Sequence, residues 1–215
     1  MAHSDGNIDI SPNALMAAVW ELPPVEGWKL DPENKKLHAE GMLLIKKMIE
    51  AGADQSREAN YEAERYASTP IIIVAANNDA ICLEFLLSAP FANPDFVDGD
   101  GDSALTMAAA YGCSTCVAML AAICNPNVRD SEGRTALVRA MDGGHSESVA
   151  ILAPITDLSL RTCNGDTARQ FAERYEDARQ YLPLLDSILE RPMLAEAMEA
   201  ANVGQGAHSG RRRSL

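Results

Sequence analysis

Short apolar stretches with helical spacing return along this chain at a constant interval. Between Gly101 and Ala153 one pattern occurs twice: Gly101-Asp102-Ser103-Ala104-Leu105 followed by Ala108 and Gly112, then Gly133-Arg134-Thr135-Ala136-Leu137 followed by Ala140 and Gly144, an offset of 32 residues. A fixed period of this length marks a solenoid. Leu105 with Ala108, and Leu137 with Ala140, fall on one face of a first helix. Val117 with Leu120, and Val149 with Leu152, mark the apolar face of a second. Gly101 and Gly133 suit positive-φ turns, and the hydroxyls of Ser103 and Thr135 can cap the orphan N–H groups of the first helix. Gly112 and Gly144 can end that helix in left-handed geometry. Each unit is too thin to bury its own core, so units must stack.

The register extends both ways. Ser68-Thr69-Pro70-Ile71 opens a second unit, with Val74 and Ala75 on its core face and a second helix at Ile81–Leu87, and Asn164-Gly165-Asp166-Thr167-Ala168 opens the last. The step from Thr69 to Ser103 is 34, and those to Thr135 and Thr167 are 32 each. In the last unit Arg169 replaces the core Leu and Glu176 the helix-ending Gly, giving the polar outer face that a terminal repeat needs. Pro183 opposes a helix interior there. At the start, Pro12 and Asn13–Ala18 resemble a first helix whose partner, Met42–Ala51, is closed by Gly52-Ala53-Asp54. An insertion at about 19–41 separates them and holds Trp20 and Trp28, expected to staple the loop onto the solenoid or else to form an exposed aromatic patch. Residues 55–66 read as a polar link, 1–10 as a disordered tail, 191–203 as a short helix and 204–215 as a disordered tail.

The run Gly-x-Ser/Thr-Ala-Leu-x-x-Ala, with Gly144-His145 after it, resembles the ankyrin repeat, whose pattern is D-x-x-G-x-T-P-L-H-x-A-A-x-x-G-H. Asp98 and Asp130 take its leading Asp place; Ala104 and Ala136 stand where the family has Pro, and Thr106 and Val138 where it has His. The resemblance implies an all-α solenoid of about five helix-turn-helix units with short hairpin loops over residues 11–190, closed by a C-terminal capping helix. It also implies a non-enzymatic protein-binding module whose concave face is made by the hairpin tips and the exposed end of each first helix. Carried onto this chain, those places are Arg65, Tyr66, Ser68 and Asn77; Asp100, Asp102 and Tyr111; Ser131, Glu132, Arg134 and Asp142; and Asn164, Asp166, Arg174 and Tyr175. Tyr and Arg bury large area with few rotors and keep a polar tip, which suits binding hot spots. Asp100, Asp102, Glu132 and Asp142 against Arg134 favour a partner protein with a basic patch. The module would act as an adaptor, scaffold or inhibitor, expected as a monomer. A translocated pathogen effector or immunity-type inhibitor would use the same surface. An enzyme with a site in the Trp-containing insertion, at Asp31, Glu33 and His38, is the alternative of a different class.

Charge and cysteine usage narrow this further. A formal charge of −13 argues against nucleic acid or an anionic membrane as partner. Residues 1–100 carry 17 acidic and 7 basic side chains and the remainder 14 and 11, so acidity is concentrated in the N-terminal half. Five cysteines without framework spacing predict reduced thiols and a cytoplasmic setting. No secretory signal is visible in MAHSDGNIDI, and no apolar run reaches the ~20 residues of a membrane helix.

Candidate chemistry is sparse. Asp98, Asp100 and Asp102 alternate as in a calcium loop, but Ser103 and Ala109 occupy the places of its Gly and bidentate Glu, so an acidic hairpin tip is expected. Cys113-Ser114-Thr115-Cys116 has redox spacing, yet its register places both thiols in the packing. No phosphate-binding loop, zinc-protease or nucleophile-elbow motif occurs, and no catalytic residue, cofactor or metal is expected. His3 and His208 lie in tails, His38 in the insertion, and His145 at a place suited to structural hydrogen bonding. Arg211-Arg212-Arg213-Ser214 resembles a basophilic kinase site.

Overall fold

The computed structural model describes residues 8–23, 32–55, 59–61, 66–90 and 92–190. The expected capping helix at 191–203, the C-terminal tail, Trp28, Asp31 and Arg65 lie outside those residues, as do residues 1–7 of the N-terminal tail. Nine α-helices are named here in chain order: α1 Pro12–Trp20, α2 Pro32–Glu50, α3 Pro70–Ala76, α4 Ala80–Ser88, α5 Ala104–Ala110, α6 Ser114–Ala121, α7 Ala136–Asp142, α8 Ser146–Leu152 and α9 Ala168–Arg174. A 3-10 turn at Arg179–Tyr181 leads into helix over 182–190. The chain is an all-helical solenoid apart from a two-stranded antiparallel ribbon, β1 Ala59–Tyr61 with β2 Tyr66–Ser68, within the stretch expected as a polar link.

The helices alternate between two stacks. The first helices, α1, α3, α5, α7 and α9, pack on one another in order, and α4, α6 and α8 form the second row. One continuous core results, running from Leu15 and Val19 through Ile71, Leu105 and Leu137 to Phe171 and Leu185. The small residues Ala75, Ala108, Ala140 and Ala172 are all completely buried. They sit where two helix axes approach, and their size sets that spacing.

Between units the chain makes a tight hairpin, closed by isolated bridges Val97–Ser103, Arg129–Thr135 and Arg161–Thr167. Asp98 Oδ1 accepts from the N–H groups of Asp100 and Asp102 at 3.1 and 2.9 Å, and Asp130 Oδ1 does the same for Glu132 and Arg134 at 2.9 and 2.8 Å. These Asp side chains therefore build the turn, while Gly101 and Gly133 take φ of +83° and +73° at its tip. In the last hairpin Thr162 stands in the Asp place, and its hydroxyl has no hydrogen-bond partner among the described residues.

The reciprocal capping boxes follow the residue three positions on. Ser103 and Thr106 form a reciprocal capping box at α5, as do Thr167 and Gln170 at α9. Thr135, expected to cap α7, makes no such bond, and neither does Thr69 at α3. There the third position is Val138 or Ile72, so no reciprocal box can form; Ser11 at α1 and Asp79 at α4 cap without one, accepting from the N–H groups of Ala14 and Cys82. Gly112 and Gly144 leave their helices at φ +72° and +74°, and Asn78 at +54° does this for the second unit.

Two expectations about the ends change. The partner of α1 begins at Pro32, well before the apolar run at Met42, so the part of the insertion from residue 32 onwards is helix. Asp9 also accepts a bond from the N–H of Ser11 at 2.8 Å, tying that part of the N-terminal stretch to α1. Pro183 lies in the first turn of the final helix, where a missing N–H costs nothing. Arg169 reaches outward to Asp186 at 2.7 Å, and Phe171 supplies the apolar contact instead.

Candidate functional site

The register predicts which side chains share a row, and the row that matters is the edge where the first helices end and the hairpins turn. Asn77, Tyr111, Gly143 and Tyr175 are equivalent residues following α3, α5, α7 and α9. Tyr111 is 63% exposed and Tyr175 41%, with Gly143 at the equivalent place between them. Asn77 is exposed too, while Tyr66 lies in β2. Asp100 is exposed at the third hairpin tip, and Glu132 is its counterpart in the fourth.

The other charged candidates are largely spent on one another. Arg134 is bound by three carboxylates: Asp130 at 3.0 Å, Glu132 at 3.1 Å and Asp142 at 3.5 Å. One unit later the same two positions carry the opposite charges, Asp166 and Arg174, and pair again. Asp166 is only 6% exposed, so it serves this pair rather than the contact face expected of it. In the third unit the position equivalent to Asp142 and Arg174 is Ala110, and Asp102 turns instead to Arg139 of the next unit at 3.0 Å. Arg139 also lies 3.6 Å from Asp130. Burial raises the pKa of Asp102, with Arg139 opposing that shift and Asp98, Asp130 and Asp100 adding to it.

Arg139 was not among the expected residues, nor were Thr162, Cys163 and Phe171. These last three line a groove of about 160 Å³ between the fourth and fifth units, opposite Glu132, Arg134 and Asp142 and beneath Tyr175. Phe171 and Tyr175 meet at a centroid distance of 4.4 Å, tilted by 33°. Of the fifteen expected residues the groove thus gathers Glu132, Arg134, Asp142, Asn164 and Tyr175. Asn77, Asp100, Asp102 and Tyr111 belong to the neighbouring units. The signal for Phe171 was present in the register, because it occupies the place of Met107 and Arg139; that its unit would leave a groove was not.

The histidines and cysteines act within the packing. His145 Nε2 lies 3.0 Å from the carbonyl of Ala110, and Cys113, its counterpart one unit earlier, places Sγ 3.4 Å from the carbonyl of Ala76. Each joins the start of a second helix to the end of the preceding unit's first helix. Asp79 fills this place in the second unit: Oδ1 accepts from the N–H of Cys82 at 3.0 Å, and Oδ2 lies 2.6 Å from His38 Nε2. His38 thereby locks α2 to α4, while Glu33 is exposed on α2. Asp98 and Asp102 of the would-be calcium loop are engaged by backbone N–H groups and by Arg139. Among the described residues no group of three His, Cys, Asp or Glu is arranged to hold a metal ion.

No cysteine is in a disulfide, and of the five only Cys163 is exposed. Burial pushes Cys124 up to about 12 and Cys82 higher still, with Asp95 and Asp79 adding to each shift. Cys163 is therefore expected to react with an aromatic disulfide reagent at pH 8 before the other four, which should follow only on unfolding. Two or more thiols titrating rapidly in the native protein would contradict this burial pattern.

Trp20, at the end of α1, is 42% exposed and so is only partly covered. No helix of the described residues is long and apolar enough to cross a membrane.

No match was found among curated proteins. Residues 38–130 match the family profile described as Ankyrin repeats (3 copies). That span runs from within α2 to the fourth hairpin, so α7 to α9 join the series by their register, hairpins and stacking. Repeats of this family indicate a protein–protein interaction module, and the family is generally non-enzymatic. By the matched profile, residues 38–130 carry ankyrin repeats, and the same hairpins and two rows of stacked helices continue through α7 to α9.

Proposed function

We propose that this chain is a non-enzymatic adaptor, scaffold or inhibitor that engages a partner protein along the edge formed by its hairpin tips and the C-terminal ends of its first helices. The observation that carries this reading is the pair of exposed rings, Tyr111 and Tyr175, at equivalent places on either side of Gly143. A tyrosine at such a place exposes apolar area, and it anchors an interface with little loss of rotamer freedom. Asp100 and Glu132 at the neighbouring hairpin tips favour a partner whose contact patch is basic. The absence of disulfides among five cysteines fits a reducing, cytoplasmic compartment.

The test is affinity capture from the native cell with the unaltered chain and with Tyr111→Ala and Tyr175→Ala, followed by a measured Kd for the protein identified. Each substitution is expected to weaken binding by more than about 1 kcal/mol. The melting temperature should barely move for Tyr111→Ala and fall modestly for Tyr175→Ala, which also loses the ring contact with Phe171. Undiminished affinity in both variants would overturn the assignment of this edge.

A further inference from the structure

The groove between the fourth and fifth units has a composition that selects its occupant. One wall carries Glu132 and Asp142, which share Arg134 with the buried Asp130 behind them, and Asp130 also has Arg139 at 3.6 Å. Asp130 is buried against that guanidinium, whereas the Glu132 and Asp142 side chains are 66% and 50% exposed and keep oxygens directed to solvent. The second wall carries Tyr175, whose ring is backed by Phe171. Between them lies Thr162, 8% exposed, a groove-lining residue whose Oγ1 has no hydrogen-bond partner among the described residues. A buried hydroxyl without a partner is a cost, and because Oγ1 is itself covered, a donor entering the groove removes that cost once the Thr162 side chain turns towards it.

We propose that this groove receives a single cationic side chain, arginine or lysine, presented by the partner protein. The inference rests on the protein-binding reading above and assigns it a chemical anchor. The exposed oxygens of Glu132 and Asp142 accept its N–H groups, the ring of Tyr175 faces its charge, and Thr162 Oγ1 accepts a further hydrogen bond. An anionic side chain meets two exposed carboxylates there, and the one guanidinium present is already engaged by three. A purely apolar side chain leaves the Thr162 hydroxyl unsatisfied and covers charged oxygens without pairing them. Cation, carboxylates and aromatic face are mutually favourable, because the ring quadrupole and the acidic wall attract the same charge.

The test is a titration of the full ¹⁵N-labelled chain with acetyl-Gly-Arg-Gly-amide, acetyl-Gly-Lys-Gly-amide and acetyl-Gly-Glu-Gly-amide, followed by amide chemical shifts. The two basic peptides are expected to give saturable shifts clustered at residues 132, 142, 162–165 and 175, and the acidic peptide none. Glu132→Gln combined with Asp142→Asn should weaken the basic peptides by about 5- to 10-fold, charge-assisted bonds being the strong ones. Tyr175→Ala should weaken them by about 2- to 5-fold. It keeps both carboxylates and so provides the comparison if the double variant loses its native spectrum. Shifts scattered over the acidic surface, equal shifts with the glutamate peptide, or affinity unchanged by the variants would overturn the proposal. If an identified partner is lost on Tyr111→Ala but retained at full affinity by the double variant, the edge is the binding surface and the groove is not its cation site.

Discussion

Replacing Arg139 by Met is expected to destabilise the protein by about 2–4 kcal/mol, read as a lower midpoint in urea unfolding. Arg139 sits between two hairpins, 3.0 Å from Asp102 and 3.6 Å from Asp130, and its side chain is only 19% exposed. Taking it away leaves two inward carboxylates, one of them still held by Arg134 and the other without a cation. The general cost of breaking a buried pair is ~3–5 kcal/mol, and partial solvent access at Asp102 reduces it here. The loss should depend on pH in a definite direction. Burial already raises Asp102 above the ordinary carboxylate value of 3.8, and Arg139 is what opposes that rise. Without Arg139 the folded-state pKa climbs further while the unfolded value stays put, so the folded state binds the proton more tightly. The deficit is therefore full above the raised folded-state pKa and shrinks as pH falls from there towards the ordinary value. Adding Asp102→Asn to the variant should recover part of the stability at neutral pH. Equal deficits at pH 4 and pH 7 would show that Arg139 acts through packing alone.

Gly101→Ala is the second large effect, at about 2–4 kcal/mol. Gly101 has φ +83°, and a Cβ placed there would lie 2.6 Å from the backbone N of Ser131 and 3.0 Å from the carbonyl carbon of Asp130. A methyl group thus adds the left-handed penalty of roughly 1 kcal/mol to a clash with backbone that no side-chain rotation can relieve. Gly165 provides the internal control. It has the same φ of +83° at the equivalent place in the last hairpin, but a Cβ there meets nothing within 4 Å. Gly165→Ala should cost only the roughly 1 kcal/mol conformational term. Equal losses from the two substitutions would mean that backbone conformation, and not contact between hairpins, dominates at Gly101. Thermal or urea unfolding of both variants decides this, and the difference between them measures how tightly the third hairpin packs on the fourth.

These two cases mark where sequence reasoning carries and where it stops. The 32-residue register, the turn glycines, the Asp that closes two of the hairpins and the apolar stripes of both helices could all be read directly from the chain. They are local: a positive φ, a cap three residues away or a helix face is decided by neighbours within one turn. Tyr111 and Tyr175 were legible for the same reason, because equivalent residues in a repeat project in equivalent directions.

The ion pairs that join residues across units were not legible. Arg139 meets Asp102 over 37 positions and His38 meets Asp79 over 41. Which of several carboxylates a guanidinium takes depends on the offset between stacked hairpins, a distance that no single repeat contains. The vacancy at Ala110 that sends Asp102 to Arg139 has meaning only once the units are stacked. The groove beneath Tyr175 arises in the same way, from Thr162 in an Asp place and Phe171 in an Arg place meeting the fourth unit's carboxylates. By itself the sequence determined the repeating unit and the row of residues it displays, since both follow from short-range backbone geometry. Only the tertiary structure decided which charges are spent inside the stack and which are left facing outward, because that depends on how neighbouring units pack.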